Sequence, residues 1–162
     1  GEGSILQHQV QINASQYAQI NEACIPTGLS EVAHTAFDFT APKIIEKDIY
    51  SEDPQLVIGK GYDHSFALKN QNDGKLLHAA GALGNLSGIQ LDVYTTEPAV
   101  QFYTGNYLGG LDTGKNGESY ADRYGFCFET QHHPDSPNQA QFPSSILKEG
   151  EEFTSKTIYR VS

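Results

Sequence analysis

The sequence contains no methionine and no tryptophan, only two cysteines, and 10 basic residues against 20 acidic ones, for a formal net charge of -10. Each shortage excludes something. Phosphate backbones and anionic lipid heads are bound through clustered Lys and Arg, so neither nucleic acid nor a membrane surface is an expected partner. Cys24 and Cys127 lie far apart with no Cys-x-x-Cys spacing, which leaves no disulfide framework and no thiolate zinc site. They read as reduced, structural thiols and favour a cytoplasmic setting. The longest apolar run, Leu76 to Leu83, is interrupted by His78 and Gly81 and is too short for a bilayer span or a secretory core.

What is present points to a globular, loop-rich domain. A chain of 162 residues is long enough to bury roughly 70% of its unfolded surface, and nine Tyr with eight Phe supply bulky core material. Period-two alternation dominates. In Gly88 to Thr95 the residues Ile89, Leu91 and Val93 alternate with Gln90, Asp92 and Tyr94, which predicts a strand with one apolar face. Val100 to Thr104 repeats the pattern beyond the breaker Glu97-Pro98. Further strands are predicted at Gln7 to Asn13, Gln55 to Ile58, Phe66 to Leu68, Gly125 to Gln131 and Phe153 to Val161. Turns are predicted at Asn70 to Gly74, Gly109 to Gly117 and Pro134 to Asn138, where Gly, Pro, Asn and Asp cluster. Only Pro42 to Tyr50 carries a helical pattern, with Ile45 and Ile49 one turn apart. Short strands with frequent turns argue an all-β sandwich or barrel. No repeat, low-complexity tract or linker divides the chain.

Three side chains are candidates for chemistry. On a strand from Gly125 to Gln131, Glu129 shares a face with Cys127 and Gln131, opposite Phe126 and Phe128; a carboxylate so mounted is either a general base or a plain surface residue. Asp63 follows a glycine and can accept hydrogen bonds from two hydroxyls of a polyol, or simply form a turn. Gln101 shares a strand face with Tyr103, and an amide beside an aromatic ring suits a sugar, though it also suits an ordinary sheet surface. A metal is not expected. His132 and His133 are adjacent and would point to opposite faces of a strand. Asp112 to Gly117 departs from a calcium loop, because Gly114 occupies a ligand position and Arg123 stands where the bidentate Glu belongs.

The segments taken together are far more specific than any one of them. Gly61-Tyr62-Asp63-His64-Ser65-Phe66, then Val93 to Asn106, then GFCFETQHHPDSPN from Gly125 to Asn138, then Phe142-Pro143-Ser144, resemble the aldose 1-epimerase (galactose mutarotase) family in order and over essentially the whole chain. The resemblance implies the C-terminal part of a β-supersandwich, with no cofactor and no metal. It implies a reaction too, the interconversion of α and β anomers of a free aldohexose such as galactose or glucose. In that family the Glu matched by Glu129 is the base at the anomeric hydroxyl, and the residues matched by Asp63 and Gln101 bind sugar hydroxyls. The family's acid is a His in an Asn-His-x-Tyr-Phe-Asn-Leu type segment, which would precede Gly1. A second active-site His and a sugar-binding Arg belong to the same upstream part. None of His8, His34, His64, His78, His132 and His133 falls in the acid's motif. Residues 1–162 are therefore expected to form the C-terminal half of a single epimerase domain, inactive alone and needing an N-terminal half as partner. The alternatives are a non-catalytic carbohydrate-binding β-sandwich and, less in keeping with the motifs, a glycoside hydrolase using Asp63 and Glu129 as a carboxylate pair.

Overall fold

The computed structural model describes residues 3–69, 74–110 and 112–162. In chain order the strands are β1 (Gln9–Ile12), β2 (Ala14–Ile20), β3 (Pro26–Glu31), β4 (Lys43–Ile44), β5 (Asp63–Leu68), β6 (Leu77–Leu83), β7 (Gln90–Thr95), β8 (Ala99–Tyr103), β9 (Cys127–Gln131) and β10 (Thr157–Val161). Two short helices, α1 (Glu46–Ile49) and α2 (Pro54–Gly59), lie between β4 and β5. The strands form two antiparallel five-stranded sheets, ordered β10-β7-β6-β1-β4 and β3-β2-β5-β8-β9. The all-β expectation holds.

The core lies between the sheets. Val10, Ile12, Ala80 and Val93 from the first sheet share one buried cluster with Tyr17, Phe66, Val100, Phe102 and Phe128 from the second. Phe37 and Phe39, on the connection after β3, complete it: Phe37 stacks on Tyr17 at 3.9 Å between ring centroids, and Phe39 meets Phe102 edge-on at 5.5 Å. Such ring pairs each add roughly 0.5–1.5 kcal/mol beyond the area they bury.

Several elements differ from the sequence expectations. Gln55 to Ile58 is helix rather than strand. Asp53 accepts the Gln55 N–H at 2.8 Å, Pro54 sits where a missing N–H is harmless, and Lys60 ends the helix in the left-handed conformation. The Gln55 amide then receives the Ile20 N–H at 2.6 Å and donates to the Ile20 carbonyl at 3.1 Å, closing the end of β2. Pro42 to Tyr50 is helical only over Glu46–Ile49, because Lys43–Ile44 pairs with β1; Ile45 and Ile49 both point into the core. Ile89 lies before β7 and is exposed, and Asp92, expected to face water, is buried under Arg160, His78 and Gln90. Strand β10 begins at Thr157, not Phe153. The turn expected at Asn70 to Gly74 falls almost wholly outside the described residues. Cys24 and Cys127 are unpaired, as expected, but both are exposed, so neither has a structural role in the core. Among the described residues no helix is long and apolar enough to cross a membrane.

Candidate functional site

Strand β5 begins one residue after Tyr62 and is buried from His64 onward. Its side chains alternate in direction: His64 and Phe66 enter the core, while Asp63 and Ser65 lie on the other face, Ser65 itself buried. Register then decides which side chains meet. Asp63 pairs with Tyr103 and Tyr103 with Cys127; Ser65 pairs with Gln101 and Gln101 with Glu129. Residues paired across an antiparallel ladder share a face, their Cβ atoms about 4.5–5.5 Å apart. Of the three residues singled out from the sequence, Gln101 and Glu129 are therefore directly paired, and Asp63 is the diagonal neighbour of Gln101 on the same face, on three neighbouring strands. Gln101 Nε2 donates to Asp63 Oδ1 at 2.8 Å, while Gln101 Oε1 is buried without a partner among the described residues. Glu129 is exposed, its carboxylate open to whatever lies above the sheet.

Electrostatics differ among the acids and thiols of this face. Burial raises the Asp63 carboxyl above the usual range, and the bond from Gln101 offsets only part of that. Cys127 is exposed as a residue, but partial screening of its thiol from water raises it as well, helped by the negative charges of Glu129 and Asp63. An unprotonated thiol is thus disfavoured beside these carboxylates.

Two structures bound the face. On one side, segment 132–142 folds over Ser65: His133 Nδ1 meets Ser65 Oγ at 2.8 Å, His133 packs on Phe142 at 4.6 Å, and Gln139 Nε2 donates to the Pro26 carbonyl at 3.1 Å. His132 turns the other way and meets the buried Glu97 at 3.0 Å. At the opposite end, Asn106 ties the start of β5 to the end of β8. Its Nδ2 donates to the Gly59 and Tyr62 carbonyls at 2.7 and 3.0 Å, and its Oδ1 accepts from Thr104 Oγ1 at 2.7 Å and from Arg123. Arg123 also donates to the Lys60 carbonyl. Gly61, at φ +132°, has no room for a side chain here, since a Cβ would stand 2.7 Å from Asn106 Oδ1.

Sequence reasoning missed Asn106, Arg123, Ser65 and His133 as supports of this face. The one signal for Asn106 was its place three residues after β8, where a loop amide commonly caps backbone groups. Ser65 and His133 are 68 positions apart, and no spacing rule joins them.

A cleft lined by His34, Asp38, Lys43 and Asp48 lies elsewhere and includes none of the three candidate residues. Its Lys43 ammonium is already matched, by Asp48 at 2.9 Å and by the Phe39 ring at 4.0 Å. Among the described residues no three His, Cys, Asp or Glu converge in a way that would hold a metal ion.

Comparison with known proteins matches residues 1–160 to the family model described as aldose 1-epimerase. The galactose mutarotase of Mus musculus is 43% identical over 169 residues, covering 100% of this chain and 46% of the relative. The aldose 1-epimerase of Escherichia coli (strain K12) is 42% identical over 162 residues, covering 98% of this chain and 46% of the relative. Among solved structures, an aldose epimerase homologue from C. elegans superposes with a TM-score of 0.80 at 21% identity, over 100% of this chain and 47% of the other, which is a likeness of fold. A galactose 1-epimerase from Lactobacillus acidophilus NCFM gives a TM-score of 0.69 at 33% identity, over 82% of this chain and 37% of the other. The chain thus spans about half the length of the curated relatives it matches. It belongs to the aldose 1-epimerase family.

Proposed function

We propose that this chain carries part of the sugar site of an enzyme that interconverts the α and β anomers of a free aldohexose. The observation that carries the proposal is the cluster of Asp63, Gln101 and Glu129 on one face of three adjacent strands, Gln101 paired with Glu129 and hydrogen-bonded to Asp63. Glu129 takes the proton of the anomeric hydroxyl, and C1–O1 acquires carbonyl character as the bond from C1 to the ring oxygen breaks. An acid protonates the ring oxygen, C1 rotates about C1–C2, and reclosure with the roles reversed gives the other anomer. Asp63 and Gln101 orient the sugar: the carboxylate and the unpartnered Gln101 Oε1 accept from its hydroxyls. Galactose and glucose are the proposed substrates, of which galactose appears in the names of the relatives. The proposal needs no cofactor, and a cytoplasmic location fits the unpaired thiols.

The acid comes from outside these residues, on an N-terminal half that completes the domain; residues 1–162 are the C-terminal half. Support comes from the 46% coverage of the relatives and from the ends of the two sheets. Strands β9 and β10 each have one unpaired edge among the described strands, and the two edges are tied together by the Tyr159 hydroxyl donating to the Phe128 carbonyl at 3.1 Å and by Thr130 meeting Thr157 at 2.7 Å. Ile158, Tyr159 and Val161 are exposed on β10. Apart from these side-chain ties the two edges are open among the described strands, as are those of β3 and β4, and an open edge can take up another strand. The second reading, a sugar-binding domain without catalysis, is favoured by one fact, that no residue here falls in the acid's motif.

Polarimetry on freshly dissolved α-D-galactose separates the two. The chain mixed with the unmatched half of a relative such as the Escherichia coli enzyme is expected to speed anomerisation, and the chain alone is not. Binding of galactose with no acceleration by the pair would leave the binding domain as the better account.

A further inference from the structure

We infer that His64 is a positioning residue for Asp63, fixing the aspartate's backbone from beneath the sheet; its importance for the sugar rests on the role proposed for Asp63 above. Alternation along β5 sends Asp63 outward and His64 inward, where the ring is fully buried. It stands edge-on to Phe37 at 4.7 Å and to Tyr17 at 6.0 Å, a setting built for an aromatic hydrocarbon. A Cβ at Gly59 would lie 3.1 Å from His64 Cε1, so the ring is also pressed against the last residue of α2.

An imidazole is a costly occupant of such a place. Its Nε2 is buried without a partner among the described residues, and burial pushes its pKa down to about 3, so it stays uncharged. What it supplies that Phe or Leu would not is an acceptor. The Asp63 N–H donates to His64 Nδ1 at 3.1 Å. Toward β8 the hydrogen-bonded pairs fall at Tyr62 and Leu68, so the pairing of Asp63 with Tyr103 leaves the Asp63 N–H facing the other way, toward β2, whose ladder with β5 among the described residues reaches only to Phe66. The acceptor role requires Nδ1 to be bare and Nε2 to carry the proton. The start of β5 is then held on both sides: Thr104 and Asn106 bind the Tyr62 backbone from above, and His64 holds Asp63 from the core.

The test combines nitrogen-15 NMR of the imidazole, hydrogen exchange and galactose titration. Histidine 64 is expected as the Nε2–H tautomer at pH 7, with the Asp63 amide protected from exchange. His64→Leu should cut that protection at least about tenfold while the Phe66 and Phe102 amides keep theirs, and His64→Asn, which retains an acceptor, should restore it. Galactose affinity should fall about tenfold in His64→Leu and fall no further when Asp63→Asn is added. An Nδ1–H tautomer in the unchanged chain, an Asp63 amide as protected in His64→Leu as before, or additive losses in the double variant would overturn the inference. If the unchanged chain and Asp63→Asn bind galactose alike, the sugar role of Asp63 fails, and tautomer and amide exchange still decide the contact.

Discussion

Asp63 sits where its charge is least welcome. A carboxyl whose pKa is raised by folding binds its proton more tightly in the folded chain than in the unfolded one, so it costs stability progressively as pH climbs from the ordinary carboxylate range through the raised value. The amide of Gln101 relieves part of that cost and a sugar hydroxyl would relieve more. Asp63→Asn is therefore expected to leave the Tm at pH 7 equal to or above that of the unchanged chain, while galactose affinity falls about tenfold or more. A lower Tm with affinity kept would mean that Asp63 is structural. The residue types of this face were legible in the sequence: alternation placed Glu129 with Cys127 and Gln101 with Tyr103, and both pairs do share the outer face. The bond between Gln101 and Asp63 was not legible, because it depends on the register of β5 with β8, and register is a property of two strands together.

Among the elements, the strands with clear contrast between apolar and polar positions were legible, β7 and β8 above all. Strand β2 was not, since its ASQYAQI spreads small residues over both faces, and β6 was not, since LHAAGAL offers no contrast at all. The edge strand β3 opens on Pro26 and contains Gly28, residue types that weaken a central strand but that an edge tolerates. For α2 the Asp53-Pro54 pair was an available start signal. Strand β10 depends on a different device. Arg160 donates to Asp92 at 2.7 Å, Asp92 also meets His78 at 3.0 Å, and the hydrogen bond from Arg160, ahead of those from His78 and Gln90, holds the Asp92 carboxyl below the usual range. A lowered carboxylate contributes stability that is present above the ordinary carboxylate pKa and lost as pH falls through the lowered value. Arg160→Gln should therefore speed exchange of the Thr157 to Val161 amides at pH 7, have little effect near pH 2, and leave β5 and β8 untouched. Unchanged exchange in β10 at pH 7 would remove Arg160 from its anchoring.

At the scale of the whole molecule, two buried neutral histidines set the response to acid. Burial takes His64 down to about 3 and, with the neighbouring His132, takes His133 down to about 4. Each is more readily protonated in the unfolded chain, so the stability they allow is complete above about pH 6.5 and is lost as pH falls through the folded values. His133→Phe keeps the packing on Phe142 and abolishes one titration. Urea unfolding from pH 7 to pH 4 should show a shallower loss in this variant, by on the order of 3 kcal/mol at pH 4, and a slope equal to that of the unchanged chain would contradict the assignment. The same scale holds the central claim, that Glu129 is the base of an anomerase assembled from this chain and a further half. The anomerisation rate of α-D-galactose, followed by polarimetry on the assembled pair with Glu129 and with Glu129→Gln, tests it most directly. The account predicts acceleration that drops at least about a hundredfold on the substitution with galactose binding retained; an equal rate in the two pairs would contradict it.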